Sequence, residues 1–441
     1  MESDLNLLIE QLNYEDSEVR IQACRSLRDS SYSETIEPLK SMLEDENKWV
    51  RRHATETLLT LTSVEDMIDQ LIHLLDDSDP WVRCYASESL AQSADPKSIQ
   101  PLIARLTDQD YHVRLTACRV LAKFEIQDDI DPVIDLLQDE NQWMRRQACS
   151  TLGHWKSEVA SERLIQMLSD ESAHVRSAAC QALAAVPNTQ AISPLIVLLN
   201  DEDASVRTSV IEVLTKIGDT SAVEPVIEKL NDESPSVRLA ACRAMTVFSD
   251  TRACEALLSC LNDENHLTRQ YACRALTTSG NGNIAEVLEK KLDDEVAEVR
   301  AAACQSLLEL QYHHAINSIS ALLQDEDVSV RRSACKSILN LGEKESLPPL
   351  GQLADEEDWW IRQYVFEAMA KLRNHQAVEP LITMLSVKED HLHQRIEDVL
   401  IDIQDRVDDE ETKNRIEETF NPSEISGATT EGTEGDSHTS Q

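Results

Sequence analysis

Apolar residues recur along this chain in triplets with a spacing of four. Val19, Ala23 and Leu27 form the first, Val50, Ala54 and Leu58 the second, Val82, Ala86 and Leu90 the third, and the series runs on to Ile361, Val365 and Met369. A spacing of four keeps three side chains on one stripe of a helix, so each triplet predicts a helix with one buried face. Directly after the first member of each triplet stands an arginine: Arg20, Arg51, Arg83, Arg114, Arg145, Arg176, Arg207, Arg238, Arg269, Arg300, Arg331 and Arg362. Successive arginines are 31 residues apart, except for one step of 32 from Arg51 to Arg83. A fixed period in this range marks a solenoid, in which each unit buries its apolar face against its neighbours.

Taking the arginine as position 0, the helix start is legible at position −4. Asp16, Asn47, Asp79, Asp110, Asn141, Ser172, Asp203, Ser234, Asn265, Asp327 and Asp358 stand there, and Val296 breaks the row. Such side chains accept hydrogen bonds from the unpaired N–H groups of a helix N-terminus. Pro80 and Pro235 follow, where the missing N–H costs nothing. Gly218, Gly280 and Gly342, at +11, suit the helix end. A shorter first helix fills the rest of each unit. Pro38, Pro101, Pro132, Pro194, Pro225, Pro349 and Pro380 share one place in it, which must lie near its start or at a kink. The extra residue near Thr62–Val64 falls between helices.

The register recurs once without the arginine, as Leu392, His393, Ile396 and Leu400. The sequence therefore predicts an all-α, right-handed solenoid of about 13 two-helix repeats over residues 1–405. A polar capping helix is expected over 406–420, and residues 421–441, acidic and rich in Ser, Thr and Gly, read as disordered.

Charge narrows the function classes. With 41 Lys+Arg against 81 Asp+Glu, the formal net charge is −40. That excludes bulk attraction to nucleic acid or anionic lipid. Met1-Glu2-Ser3-Asp4 has no basic or apolar leader, no apolar run reaches membrane-spanning length, and the chain carries 11 Cys. These features predict a cytoplasmic protein.

The unit D-E-x-x-x-V-R-x-x-A-x-x-x-L, followed by a helix with A-V-E-P-L-like spacing, resembles the HEAT-like repeat of the phycobilisome-lyase type. The resemblance covers residues from about 3 to about 405. An acid at −6 recurs as Asp45, Asp77, Asp108, Asp139, Asp170, Asp201, Asp232, Asp263, Asp294, Asp325 and Glu356, while Tyr14 and the missing arginine at His393 mark atypical ends. The resemblance implies that these acids and the arginines form a structural ladder of ion pairs between repeats. It does not fix function, because such repeats serve bilin lyase subunits, scaffolds and adaptors, and deoxyhypusine hydroxylases.

With −1, +3 and +7 buried, the second helices expose −3, −2, +1, +2 and +5, which the resemblance places on a concave face. These 65 positions hold nine of the 13 Trp and Tyr residues. They carry ten basic residues against eight acids, a net of +2 on a protein of −40. Two patches stand out. One, in repeats 2–5, comprises Trp49, Arg52, His53, Trp81, Tyr85, Tyr111, His112, Trp143 and Arg146; the other, in repeats 9–12, comprises His266, Tyr271, Arg274, Arg332, Trp359, Trp360 and Tyr364. Trp, Tyr and Arg dominate protein-binding hot spots. Between the patches the face is mostly small, as at Ala173, Ser177 and Ala204.

Other chemistry is sparse. Eight of the 11 Cys share position +4, where a small buried apolar residue is expected. Stacked helices roughly 8–10 Å apart leave neighbouring thiols unbridged. Cys84 falls on the expected exposed face and is the one thiol singled out for reactivity. There is no C-x-x-C, no H-E-x-x-H, no Walker loop, and no His-Glu dipeptide such as the hydroxylases use to hold two irons. The reading is a non-enzymatic adaptor or assembly factor, monomeric, without cofactor or metal. It would bind protein on the concave face and not nucleic acid, without membrane insertion. The alternative implied by the resemblance is a bilin lyase subunit, with a tetrapyrrole among the aromatic rings and its propionates on Arg.

Overall fold

The second helix of every repeat starts three residues before position 0, from Ser17–Leu27 and Lys48–Leu61 through Gln142–His154 to Trp359–Leu372. These come from a computed structural model that describes residues 2–28, 33–126, 129–186, 189–279, 284–386 and 390–420. Among the described residues the chain is helical throughout, an all-α solenoid with no strand. It divides into two units, residues 1–225 and 226–441.

Capping explains the common start. Asp16, Asn47, Asp79, Asp110, Asn141, Asp203, Asn265 and Asp327 each accept from the N–H two residues on, and Asp358 from the N–H of Ile361. Ser172 and Ser234 depart from the expected row. The Ser172 hydroxyl donates to Gln142 Oε1 at 2.6 Å, and that of Ser234 bonds Ser236 at 2.9 Å, so neither caps. At the other end Gly218 is left-handed, φ +74°, as its place demands, whereas Gly342 is extended at φ −72°. Gly280 lies outside the described residues.

The first helices are short, such as Ile36–Ser41 and Ile192–Leu198, and a 3₁₀ turn leads into each of those two. Their prolines sit in the first turn, where the N–H would be unpaired anyway. In repeat 12 the first helix is wholly 3₁₀, Pro348–Leu353: two adjacent prolines remove two donors, and a Cβ on Gly351 would stand 2.6 Å from Pro380 Cγ. After the last second helix, Asp390–Arg406, a further helix spans Glu410–Phe420, four residues later than the sequence pattern placed it, with Ile416 fully buried. Residues 421–441 lie outside the described residues.

Position +3 is fully buried in all twelve arginine-bearing repeats. Its small side chain lets successive second helices close in, and at one crossing even alanine is too large. A Cβ on Gly153 would meet Ala182 Cα at 2.7 Å. Hydroxyls at +6 reach across to the preceding repeat: Thr57 donates to Cys24 O, Thr151 to Cys118 O, Ser306 to Cys273 O and Ser337 to Cys304 O, at 2.9–3.3 Å.

Arginine and aspartate complete the joint. In the first unit Arg20, Arg51, Arg83, Arg145 and Arg176 grip Asp45, Asp77, Asp108, Asp170 and Asp201 of the next repeat through two hydrogen bonds each. In the second unit Arg238, Arg269, Arg300 and Arg331 hold Asp263, Asp294, Asp325 and Glu356 likewise. Each Arg also donates Nη1 to the backbone carbonyl at −6 of its own repeat, as Arg51 does to Asp45 O at 2.8 Å and Arg207 to Asp201 O at 2.8 Å. Each aspartate in turn accepts from the backbone two residues on, as Asp45 does from Asn47 N–H at 2.8 Å. Arg114–Asp139 is the loose rung, at 3.9 Å.

Candidate protein-binding surface

Positions −2, +2 and +5 stand four and three residues apart, so they form a second stripe on each helix, beside the buried one. Position −2 is exposed in all twelve arginine-bearing repeats, and +5 is exposed or half-buried. Position +2 is more covered than its sequence pattern suggests: His53, Tyr85, Tyr271 and Tyr364 are half-buried, and Thr116, Ala178, Ser209, Ala240 and Ala302 are buried. Successive second helices meet there, which leaves −2 and +5 as the outward rows. Cys84, at +1, is buried as well, and burial pushes its thiol above the ordinary value.

In the first unit the −2 row of repeats 2–6 reads Trp49, Trp81, His112, Trp143 and His174. The capping residue of repeats 2–5 accepts from the N–H of this same residue, at 2.8–3.0 Å, so the cap fixes the backbone that carries the ring. Trp49 is 46% exposed, Trp81 59% and Trp143 43%. Rings pair across neighbouring repeats. Trp81 stacks on His112 with centroids 6.0 Å apart, and Trp143 on His174 at 5.4 Å, while Tyr111 meets His112 edge-on at 5.2 Å. His174 lies in the stretch that looked small from the sequence; sharing the −2 slot with Trp143 was its available signal.

Cations sit against these rings. Lys48 and Arg52 each lie 5.7 Å from the Trp49 ring, and Arg146 lies 5.8 Å from that of Trp143. Lys48 is also paired with Asp79 at 3.0 Å. Arg52 and Arg146 have no carboxylate partner among the described residues. His53 sits between Arg25, 3.0 Å away, and Glu56, 3.2 Å away. Burial first, and Arg25 second, hold its imidazole below the usual value, so it is neutral at pH 7. Tyr85 is half-buried, and desolvation raises its phenol.

Between the second helices of repeats 4 and 5, Tyr111, His112, Trp143 and Arg146 open onto one pocket of about 470 Å³, with Leu115, Thr116, Arg119 and Gln147 as its other walls. The structure thus brings four of the nine residues of this patch around one concavity and ties Trp81 to it through His112. Trp49, Arg52 and His53 lie further along the unit, on the second helix of repeat 2.

The second unit's patch falls into separate clusters. Arg243 and Arg274 lie 5.6 and 5.5 Å from the Tyr271 ring. Trp359 and Trp360 meet edge-on at 4.6 Å, with Tyr364 half-buried one turn on from Trp360. Arg332 is engaged by Asp358, and His266 is exposed. Repeats 10 and 11 put Ala302 and Ser333 at +2 between the two clusters.

The chain belongs to the HEAT-repeat family, whose model matches residues 5–77, 68–153, 130–215, 160–230, 192–268, 223–308, 255–325 and 316–400. No curated protein matches it by sequence. Among solved structures it is similar to one in which Kap95p binding induces the switch loops of RanGDP to adopt the GTP-bound conformation. There the TM-score is 0.57 and the identity 13%, covering 97% of this chain and 68% of that one. It is also similar to importin beta in an ammonium sulfate condition, with TM-score 0.56 and 14% identity over 94% of this chain and 66% of that one. The chain therefore spans about two thirds of these neighbours, and at such identities they show the fold alone. The complex of CpcE and CpcF of phycocyanin lyase from Nostoc sp. PCC7120 aligns at 20% identity over 55% of this chain and 93% of that one, at a TM-score of only 0.34. No helix among the described residues is long and apolar enough to cross a membrane.

Proposed function

We propose that this chain is a non-enzymatic scaffold or adaptor, cytoplasmic and monomeric, that binds a protein partner on the outward rows of its second helices. The observation that carries the reading is the −2 row of the first unit. Three tryptophans there are between 43% and 59% exposed on a protein of net charge −40, and against two of the rings lie arginines that have no carboxylate partner among the described residues. A cluster of exposed aromatic rings with arginine is the composition of interface hot spots, and costs solubility unless a partner covers it. Kap95p, which shares the fold, binds a protein, RanGDP. Trp49, Trp81 and Trp143 would anchor the partner, and Arg52 and Arg146 would orient it.

The test compares the full chain with a Trp49→Ala/Trp81→Ala/Trp143→Ala variant in affinity capture, read by mass spectrometry and a visible absorption scan. The expected result is a protein lost with the variant while helical circular dichroism stays unchanged. Identical capture by both forms would remove this face from the account. A bilin absorption band in the eluate would put chromophore attachment in its place.

A further inference from the structure

The second unit carries a different recognition chemistry. The arginines at position 0 are engaged by carboxylates or backbone carbonyls, as expected where acids outnumber bases by 81 to 41. Arg243, Arg274 and Lys336 stand outside that ladder. All three are exposed, and none has a carboxylate partner among the described residues. They share position +5 on the second helices of repeats 8, 9 and 11, with the neutral Gln305 at +5 of repeat 10. These four helices, Pro235–Phe248, His266–Ser279, Ala297–Glu309 and Val328–Leu341, pack in succession. At roughly 8–10 Å per helix the row is about 25–30 Å long. Its first two guanidiniums rest against the Tyr271 ring, which holds them in place ahead of any ligand. The −2 positions of the same helices are Ser236, Leu267, Glu298 and Ser329. Carboxylates therefore flank only the far half of the row: Glu298 stands beside the Gln305 rung, Gln305 itself donates to Glu309 at 3.0 Å, and Glu367 holds +5 in repeat 12, beyond Lys336.

We infer that this row binds an extended acidic segment of a protein partner, with carboxylates set on Arg243 and Arg274 and again on Lys336. Charge complementarity selects that occupant. These cations lack a carboxylate partner among the described residues, and at physiological salt a screening length of about 8 Å lets a local cationic row act in spite of the acidic remainder. Guanidinium pairs carboxylates through two parallel hydrogen bonds, and an extended strand covers the row with about nine residues. The inference rests on the reading of the second-helix face as a protein-binding surface and adds the chemistry of the partner.

The test uses the full chain and a fluorescein-labelled peptide of about nine residues alternating Glu and Ser. Anisotropy should show binding that is absent for the Gln/Ser counterpart. Arg243→Gln and Arg274→Gln should each weaken it about tenfold or more, the loss expected when a charge-assisted hydrogen bond disappears. Arg252→Gln removes the same charge from an arginine paired with Asp250 outside the row, and should leave binding unchanged. Equal binding of the Glu and Gln peptides, insensitivity to Arg243→Gln, or displacement of the peptide by oligothymidylate in preference to unlabelled peptide would overturn the inference. Failure here with tryptophan-dependent capture intact sinks only the acidic-segment reading. Peptide binding with capture unaffected by the tryptophan variant sinks only the first-unit face.

Discussion

Asp170 shows how much one side chain does in this fold. It accepts two hydrogen bonds from Arg145 at 2.7 and 2.9 Å and one from the Ser172 N–H at 2.9 Å, and its own carbonyl takes Arg176 at 2.9 Å. Burial alone would raise its carboxyl, but the Arg145 bonds and the Ser172 N–H outweigh it and hold the group below the ordinary 3.8. Asp170→Asn keeps the shape and leaves the buried Arg145 guanidinium only the exposed Glu171 carboxylate, at 3.2 Å, as a charged partner. It should cost about 3 kcal/mol in urea unfolding, in line with other broken buried pairs. The thiols make a second prediction. Burial pushes Cys118, Cys149, Cys180, Cys273 and Cys335 up to about 12, so they stay protonated and shielded at pH 8. Cys254 alone is half-exposed. Brief iodoacetamide treatment of the native protein should label Cys254 first; labelling of Cys84 at the same rate would contradict its burial.

Among the elements, the second helices were almost wholly legible in the sequence, because their start, buried stripe and stop are local signals. One local exception, Val296, was legible too, while one detail that depends on neighbours, Gly153, was not. Val296 takes the backbone of a capping residue, φ −100° and ψ 125°, without an oxygen to offer. Val296→Asn should therefore stabilise the protein by about 1 kcal/mol, a gain that a melting curve would show. Gly153 is the reverse. Inside an exposed helix, Gly to Ala gains about 1 kcal/mol, but here the added methyl meets the Ala182 backbone, and the expected result is a loss of about 1–3 kcal/mol. The sequence showed a glycine in a helix; only the packed structure shows what opposes it. Likewise, position +2 read as surface because it lies off the buried −1, +3, +7 stripe, whereas the next second helix half-covers it. The tryptophans were visible as a row, but the His174 stack and the pocket beside Arg146 needed the spacing of adjacent repeats.

For the whole molecule, two electrostatic terms pull in opposite directions with pH. Acidification towards the isoelectric point of about 4.6 discharges the −40 surface and relieves repulsion. The ladder responds later. Asp108, Asp170, Asp263, Asp294 and Asp325 all have folded values below their ordinary 3.8, so the unfolded chain binds more protons between the two values. Their contribution is complete above the unfolded value and is lost as pH falls through the folded one. Stability should thus hold or rise from pH 7 to about 5 and fall steeply below about 4, with the rungs failing together because they repeat. Unfolding midpoints across that range check the order; a steady decline starting from pH 7 would contradict it.

The tryptophan row of the first unit is the surface proposed here for a partner to cover. Hydroxyl-radical footprinting of the full chain, with and without its captured partner, reads this directly. Trp49, Trp81 and Trp143 should be protected in the complex. Trp155, half-buried with its Nε1–H donating to Leu121 O at 3.3 Å and off the row, should oxidise equally in both states. Unchanged oxidation of the three row tryptophans in a saturated complex would contradict the account.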